Sequence, residues 1–244
     1  MERCSQCVWI CFQVEARKLV DTRSARWLLF VMAVVGLSLV VLSIVLSVAR
    51  GASLEVSAIV AVLALPGAVI APLLAILSVT SDLQHREVVK YYALQPRRTV
   101  ILTAKYLSVA MFAVAVTVIV CIAALIAAAL VSAVSGAQIV YGSVLSTVWL
   151  VVCGVLVGSV SGAAVASALM STPVAIVFVL AQSTVVDLLI GLIPGVPADY
   201  LQSAAFSDFL SEGGEVLPAL SSAVIWILIP AALGAWRHTR ADVF

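Results

Sequence analysis

An all-α polytopic membrane protein of six transmembrane helices, with both termini in the cytoplasm, is the fold class the sequence predicts, on three observations. Apolar residues make up 64% of the chain and charged residues 10%, with a mean hydropathy of +1.24. Soluble globular domains carry roughly a quarter charged residues. The apolar residues gather into stretches at 27–49, 56–79, 106–134, 144–170, 173–193 and 219–236, each near the roughly 20 residues a helix needs to cross the hydrocarbon. Charge is the third observation. Of 13 Lys and Arg residues, Arg3, Arg17, Lys18, Arg23 and Arg26 precede the first stretch, and Arg86, Lys90, Arg97, Arg98 and Lys105 lie between the second and third. Arg237 and Arg240 follow the last, and only Arg50 falls on the other side. The positive-inside rule then places both termini and residues 81–105 in the cytoplasm.

The first 26 residues carry too much charge, and too short an apolar run at 8–12, for a cleavable signal peptide. The first span is expected to act as an uncleaved insertion signal. At 100° per residue, Trp9, Phe12, Ala16, Leu19 and Val20 share an arc of about 100°, with Glu15, Arg17, Lys18 and Asp21 elsewhere. Such a helix would lie along the inner membrane surface, Trp9 at headgroup level and Lys18 and Arg23 reaching lipid phosphate; a disordered tail is the alternative. Thr22-Arg23-Ser24 marks the turn into the first span. Cys4, Cys7 and Cys11 are spaced to share one side of a helix. With no fourth ligand nearby they read as an unpaired cluster, a metal or redox site being the alternative.

Span two contains Pro66-Gly67 and Pro72, which remove backbone donors and predict a bend near mid-membrane. Beyond it, residues 83–95 project no clean apolar stripe. A short helix with apolar residues on all sides predicts protein partners around it, ended by Pro96. Spans four and five form about 50 nearly uncharged residues, about 75 Å as one helix, so the chain must turn back. Ser171-Thr172-Pro173 predicts the place, with a hydroxyl N-cap and proline opening the next helix. In span four, Gly154, Gly158 and Gly162 recur every four residues and Ala166 continues the row, a smooth stripe for close helix packing within or between subunits. Span five carries Asp187, with Gln182 five residues before it. An intramembrane acid is a candidate for the substrate path; the alternative is a hydrated residue about 10 Å from the outer helix end. The loop at 194–218 has only acidic charges.

Nothing here suits nucleic acid, since the net charge is +1 and no basic patch is interleaved with aromatics. Both histidines, His85 and His238, fall in cytoplasmic segments, and Gly158-Ser159-Val160-Ser161-Gly162 lacks the serine of a nucleophile elbow. The chain is therefore expected not to be an enzyme, and no metal site is expected.

Residues Thr80-Ser81-Asp82, Leu94-Gln95-Pro96-Arg97-Arg98 and Ala104-Lys105 together resemble the cytoplasmic segment of permeases of the type-2 ABC exporter superfamily. The approach to span one, Glu15-Ala16-Arg17-Lys18-Leu19 with Thr22-Arg23-Ser24 and Trp27, and the tail from Arg237 to Val243 are similar to that family as well. The likeness covers the whole chain. Two positions depart from the pattern: Asp82 stands where Glu is usual, and Val88-Val89-Lys90-Tyr91-Tyr92 is bulkier than the family's small, Thr-rich run. The resemblance implies a permease half that pairs with a second permease, identical or homologous, and with two ATPase subunits. ATP and Mg would be bound by the partner, because this chain has no Gly-x-x-x-x-Gly-Lys-Ser/Thr loop. It implies a coupling helix at 83–96 seated in the ATPase, with Asp82, His85, Arg86, Glu87, Lys90, Tyr91, Tyr92, Leu94, Pro96, Arg98 and Lys105 as coupling residues. A connecting helix at 5–22 would use Trp9, Phe12, Glu15, Lys18 and Leu19, and the 194–218 loop would supply half-penetrating helices, an ordinary surface loop being the alternative. An ion-coupled secondary transporter normally needs several buried ionisable groups, and a scaffold or sensor subunit needs no transport chemistry; both stay as alternatives.

Overall fold

Span two is the axis around which spans one, three, four and five pack, and it is the most enclosed of the six helices that, among the described residues, are long and apolar enough to cross a membrane. In the computed structural model, residues 2–51, 53–84, 98–136, 138–193, 197–203, 205–212 and 215–240 are described. The six helices are Arg23–Ala49, Val56–Ser81, Ile101–Val134, Val144–Leu169, Thr172–Leu192 and Val216–Arg237, called spans one to six below. Span two touches spans one, three, four and five, and span six lies against spans three and four. Side chains such as Leu42, Ile119, Ile126, Leu145, Val177 and Leu188 point outward, each more than half exposed. An apolar surface of that extent is at home in lipid and not in water.

The core divides into two clusters along the bundle. One gathers Met32, Ala71, Leu74, Ile76, Val109, Val155 and Val165 toward the end that holds Lys105. The other gathers Val40, Ile44, Leu54, Ile59, Leu63, Val120 and Val151 toward the opposite end. Lipid tails are as apolar as these side chains, so the helices are held by close van der Waals packing, which small residues permit. Hydroxyls inside the spans are satisfied locally. Thr80, Ser108, Thr117 and Ser159 each donate to the carbonyl four residues back, at 2.7–2.8 Å, as a polar group in hydrocarbon must.

Span two breaks where a proline dictates, though one turn earlier than Pro66 itself. Its first helix ends at Ala61 and the second begins at Ala64, because Pro66 has no N–H to give the Val62 carbonyl. Leu65 supplies a tighter substitute bond to Val62, at 3.3 Å. Pro72 lies within the second helix without interrupting it. Between spans four and five the chain turns back at the residues the sequence marks, by a different device. Met170 takes a left-handed conformation, φ 53°, closing span four as a C-terminal cap. The Ser171 side chain makes no capping bond, and Pro173 is the second helical residue and not the first.

At the end away from Lys105, residues Leu54–Glu55 and Ile139–Val140 form a two-residue parallel pair. It ties the loop after span one to the loop after span three, and Leu54 is fully buried beneath it. Gly142, φ 53°, closes this clasp where a Cβ would stand 2.8 Å from the Ser57 hydroxyl oxygen.

Candidate functional site

The N-terminal helix, Glu2–Asp21, is separated from span one by Thr22 alone. It packs against span three, with Phe12, Glu15 and Leu19 on the buried side and Ala16 half-buried. Positions 12, 15 and 19 share one helix face, so Glu15 faces inward. That corrects the projection that set Glu15 apart from the apolar arc. The side chains of Trp9, Val20, Cys4 and Cys7 lie outside the described residues.

Glu15 is drawn in by a partner 90 positions away. Its Oε2 lies 3.1 Å from Lys105 Nζ, and both residues are buried. The other oxygen accepts from Lys18 at 3.1 Å, and Lys105 also donates to the Ser78 carbonyl at 3.3 Å. One ammonium therefore joins the N-terminal helix, span three and the end of span two. Ser108, one turn after Lys105, approaches the Phe12 carbonyl at 3.4 Å. Around the same end, Thr172 donates to Thr80 at 2.7 Å, tying span five to span two, and the Arg237 guanidinium donates to the Ala168 carbonyl, tying span six to span four. Tyr106 and Ser167 share a hydrogen bond of 2.8 Å.

This layer brackets the predicted coupling segment. The helix of span two runs to Gln84 and that of span three begins at Arg98, so Asp82 and Arg98 sit in the helix ends on either side of it. Their side chains, and His85, Arg86, Glu87, Lys90, Tyr91, Tyr92, Leu94 and Pro96, lie outside the described residues. Of the coupling and connecting sets, the structure brings together Lys105, Glu15, Lys18, Phe12 and Leu19.

The glycine row of span four faces span two within the same chain. A Cβ on Gly162 would stand 2.6 Å from the Pro72 carbonyl oxygen, and Gly158 looks onto the Pro72 ring at 3.5 Å. Gly154 has nothing within 4 Å and borders a cavity of about 480 Å³ lined by spans two and four. Span five borders it through Val179 and Gln182, Ser203 and Phe206 of the loop after span five add to the wall, and one side is open.

Span five widens into a π-helical turn over Gln182–Val186, and span six does the same over Val224–Leu228. Such turns are uncommon and cluster at functional positions. No residue type advertised them in the sequence. Gln182 is buried in the first. Trp226 in the second donates from its indole to the Leu201 carbonyl at 2.8 Å, and its own carbonyl accepts from Ser161 at 3.3 Å.

Asp187 is engaged by the loop. Its Oδ1 accepts the Ser203 backbone N–H at 2.9 Å, its Oδ2 the Ser203 hydroxyl at 2.6 Å, and its carbonyl accepts from Gln202. The acid thus anchors the short helices Ala198–Leu201 and Ala205–Glu212, and it is these contacts that position Ser203 over the cavity. Asp187→Asn leaves one acceptor for the Ser203 N–H but removes the charge from both hydrogen bonds and the acceptor of the Ser203 hydroxyl, at a cost of about 1–3 kcal/mol. Limited proteolysis in detergent should show faster cutting within 197–212, with the rest of the chain still protected.

Comparison with known proteins gives no match, neither to a protein-family model nor to a curated protein. The geometry stands by itself. Among the described residues no group of three or more His, Cys, Asp or Glu is placed to hold a metal ion.

Proposed function

We propose that this chain is the permease half of an ATP-driven exporter of the type-2 ABC kind, set in the cytoplasmic membrane with both termini inside. It pairs with a second permease, identical or homologous, and with two ATPase subunits that bind ATP and Mg. The substrate is hydrophobic or amphipathic and moves outward. The observation that carries this reading is the Glu15–Lys105–Ser78 junction, which unites the N-terminal helix with the two helix ends that flank the 85–97 segment. A force applied to that segment by a soluble motor would reach spans two and three as one body. A buried, multiply bonded lysine at that point suits a mechanical joint, because it resists separation of the three elements.

The occupied state of Asp187 supports a transporter driven from outside the chain over an ion-coupled one. Its carboxylate is committed to Ser203, whereas ion coupling needs acids that take up and release charge.

Purification of the tagged protein from its native membrane in mild detergent tests the proposal. A subunit bearing the Gly-x-x-x-x-Gly-Lys-Ser/Thr loop should co-purify, and its ATP turnover should rise with the permease present. Tyr91→Asp and Leu94→Asp should insert normally yet lose that subunit. Recovery of the chain without any ATPase, with uptake driven by an ion gradient, would identify a secondary transporter instead. Recovery with neither activity would identify a scaffold.

A further inference from the structure

We propose that an anionic phospholipid, from the leaflet at the Lys105 end, docks on the first two turns of span one. Arg23 and Arg26 hold its phosphate, and Trp27 and Phe30 carry the upper part of its chain. The four side chains are spaced by three, four and seven residues, which puts them on one helix face, and they line an open groove of about 340 Å³. That volume lies at the small end of ligand sites, roughly 300–1,000 Å³. Trp27 and Phe30 meet edge to face with ring centres 5.8 Å apart, yet stand 65% and 58% exposed. The groove is thus cationic toward the start of the span and aromatic further along it.

Neither guanidinium is engaged within the chain. Among the described residues no ion pair or hydrogen bond involves Arg23 or Arg26. The first turn of this helix holds no acid, and Asp21 is exposed without pairing to either arginine. Glu15, the buried acid at this end, is committed to Lys18 and Lys105. Lys18, which the sequence set beside Arg23 on lipid phosphate, is thereby withdrawn, and Arg26 takes its place. Two like charges three residues apart on one helix repel each other, so an anion between them is favoured.

A lipid phosphate answers both parts of the groove. Guanidinium forks match phosphate oxygens with paired, charge-assisted hydrogen bonds, and basic side chains at the membrane surface attract anionic headgroups. Tryptophan belongs at headgroup level, where the start of an acyl chain can cover both rings. A free phosphate would leave those rings bare. A zwitterionic lipid would bring its own ammonium toward two guanidiniums of the same sign. The occupant is therefore a lipid whose headgroup carries net negative charge.

Native mass spectrometry tests this on the intact protein, delipidated and returned to micelles with equal amounts of dioleoylphosphatidylglycerol and dioleoylphosphatidylcholine. The anionic lipid should be retained at least about fivefold over the zwitterionic one, the weight of one basic side chain at a charged membrane surface. Arg23→Gln and Arg26→Gln should each weaken its retention about fivefold, and together about 25-fold. Arg17→Gln removes an exposed charge outside the groove and should change retention by less than about twofold. Trp27→Ala and Phe30→Ala alter no charge, and each should lower retention at least about threefold through lost apolar contact. Glycerol phosphate, a headgroup without chains, should not displace the lipid. Equal retention of the two lipids would overturn the assignment. So would an Arg17→Gln effect as large as that of Arg23→Gln, or retention unchanged by both aromatic substitutions, since either result describes diffuse attraction to a charged surface. Displacement by glycerol phosphate would overturn it in favour of a free anion. The experiment uses no ATP and no partner subunit, so its outcome is separate from that of the exporter reading.

Discussion

Glu15→Gln should destabilise the folded protein by about 3–5 kcal/mol, the usual result of removing one member of a buried ion pair. Glu15 holds the ammonium groups of both Lys105 and Lys18, and Lys105 is buried. Without the carboxylate, Lys105 keeps the Ser78 carbonyl but loses the negative charge that Glu15 sets beside it. Lys105→Met should do less damage, because Glu15 retains Lys18. Combining the two changes removes both charges, and the double variant should be more stable than the sum of the single effects predicts, with a coupling of about 1–3 kcal/mol. Unfolding by SDS in mixed micelles, followed by helical circular dichroism, supplies all corners of the cycle. Additive losses would mean that the two side chains do not interact across the N-terminal helix and span three.

The same pair marks where sequence reasoning stops. The six spans were legible because an apolar run of the right length admits few other fates in a membrane protein. So was the break near Pro66, since a missing N–H acts on its own helix. Glu15 was misplaced because a helical projection scores a carboxylate as polar and turns it outward, and nothing local announces a lysine 90 positions later. The reversal after span four was located by Ser171-Thr172-Pro173, yet its geometry is set by Met170, a residue with no preference for left-handed backbone. The π-turns at Gln182 and Trp226 were invisible for a similar reason: they answer packing against neighbouring helices, which single-helix periodicity does not encode. Gln182 was singled out with Asp187 as a pair, and the structure separates them. The acid is a loop anchor, and the amide is buried within the π-turn.

The glycine row was readable as a stripe but not as three different environments, and that difference predicts the second large effect. Gly162→Ala should be severely destabilising while Gly154→Ala is neutral or slightly stabilising. A methyl at 162 would meet the Pro72 carbonyl oxygen at 2.6 Å and its Cα at 2.7 Å. Both are backbone atoms, so no rotamer change relieves the clash, and spans two and four must move apart there. Overpacking of this kind costs about 1–3 kcal/mol and sometimes more, against a gain in helix propensity of at most about 1 kcal/mol. At 158 the nearest atom is the Pro72 ring at 3.5 Å, an ordinary contact, and alanine should be tolerated. At 154 only the propensity gain applies. Melting temperatures of the three variants in one detergent should therefore fall in the order 154, 158, 162 despite identical spacing and chemistry. Three equal shifts would show that spans two and four do not meet at Pro72, and with that the cavity they enclose would lose its floor.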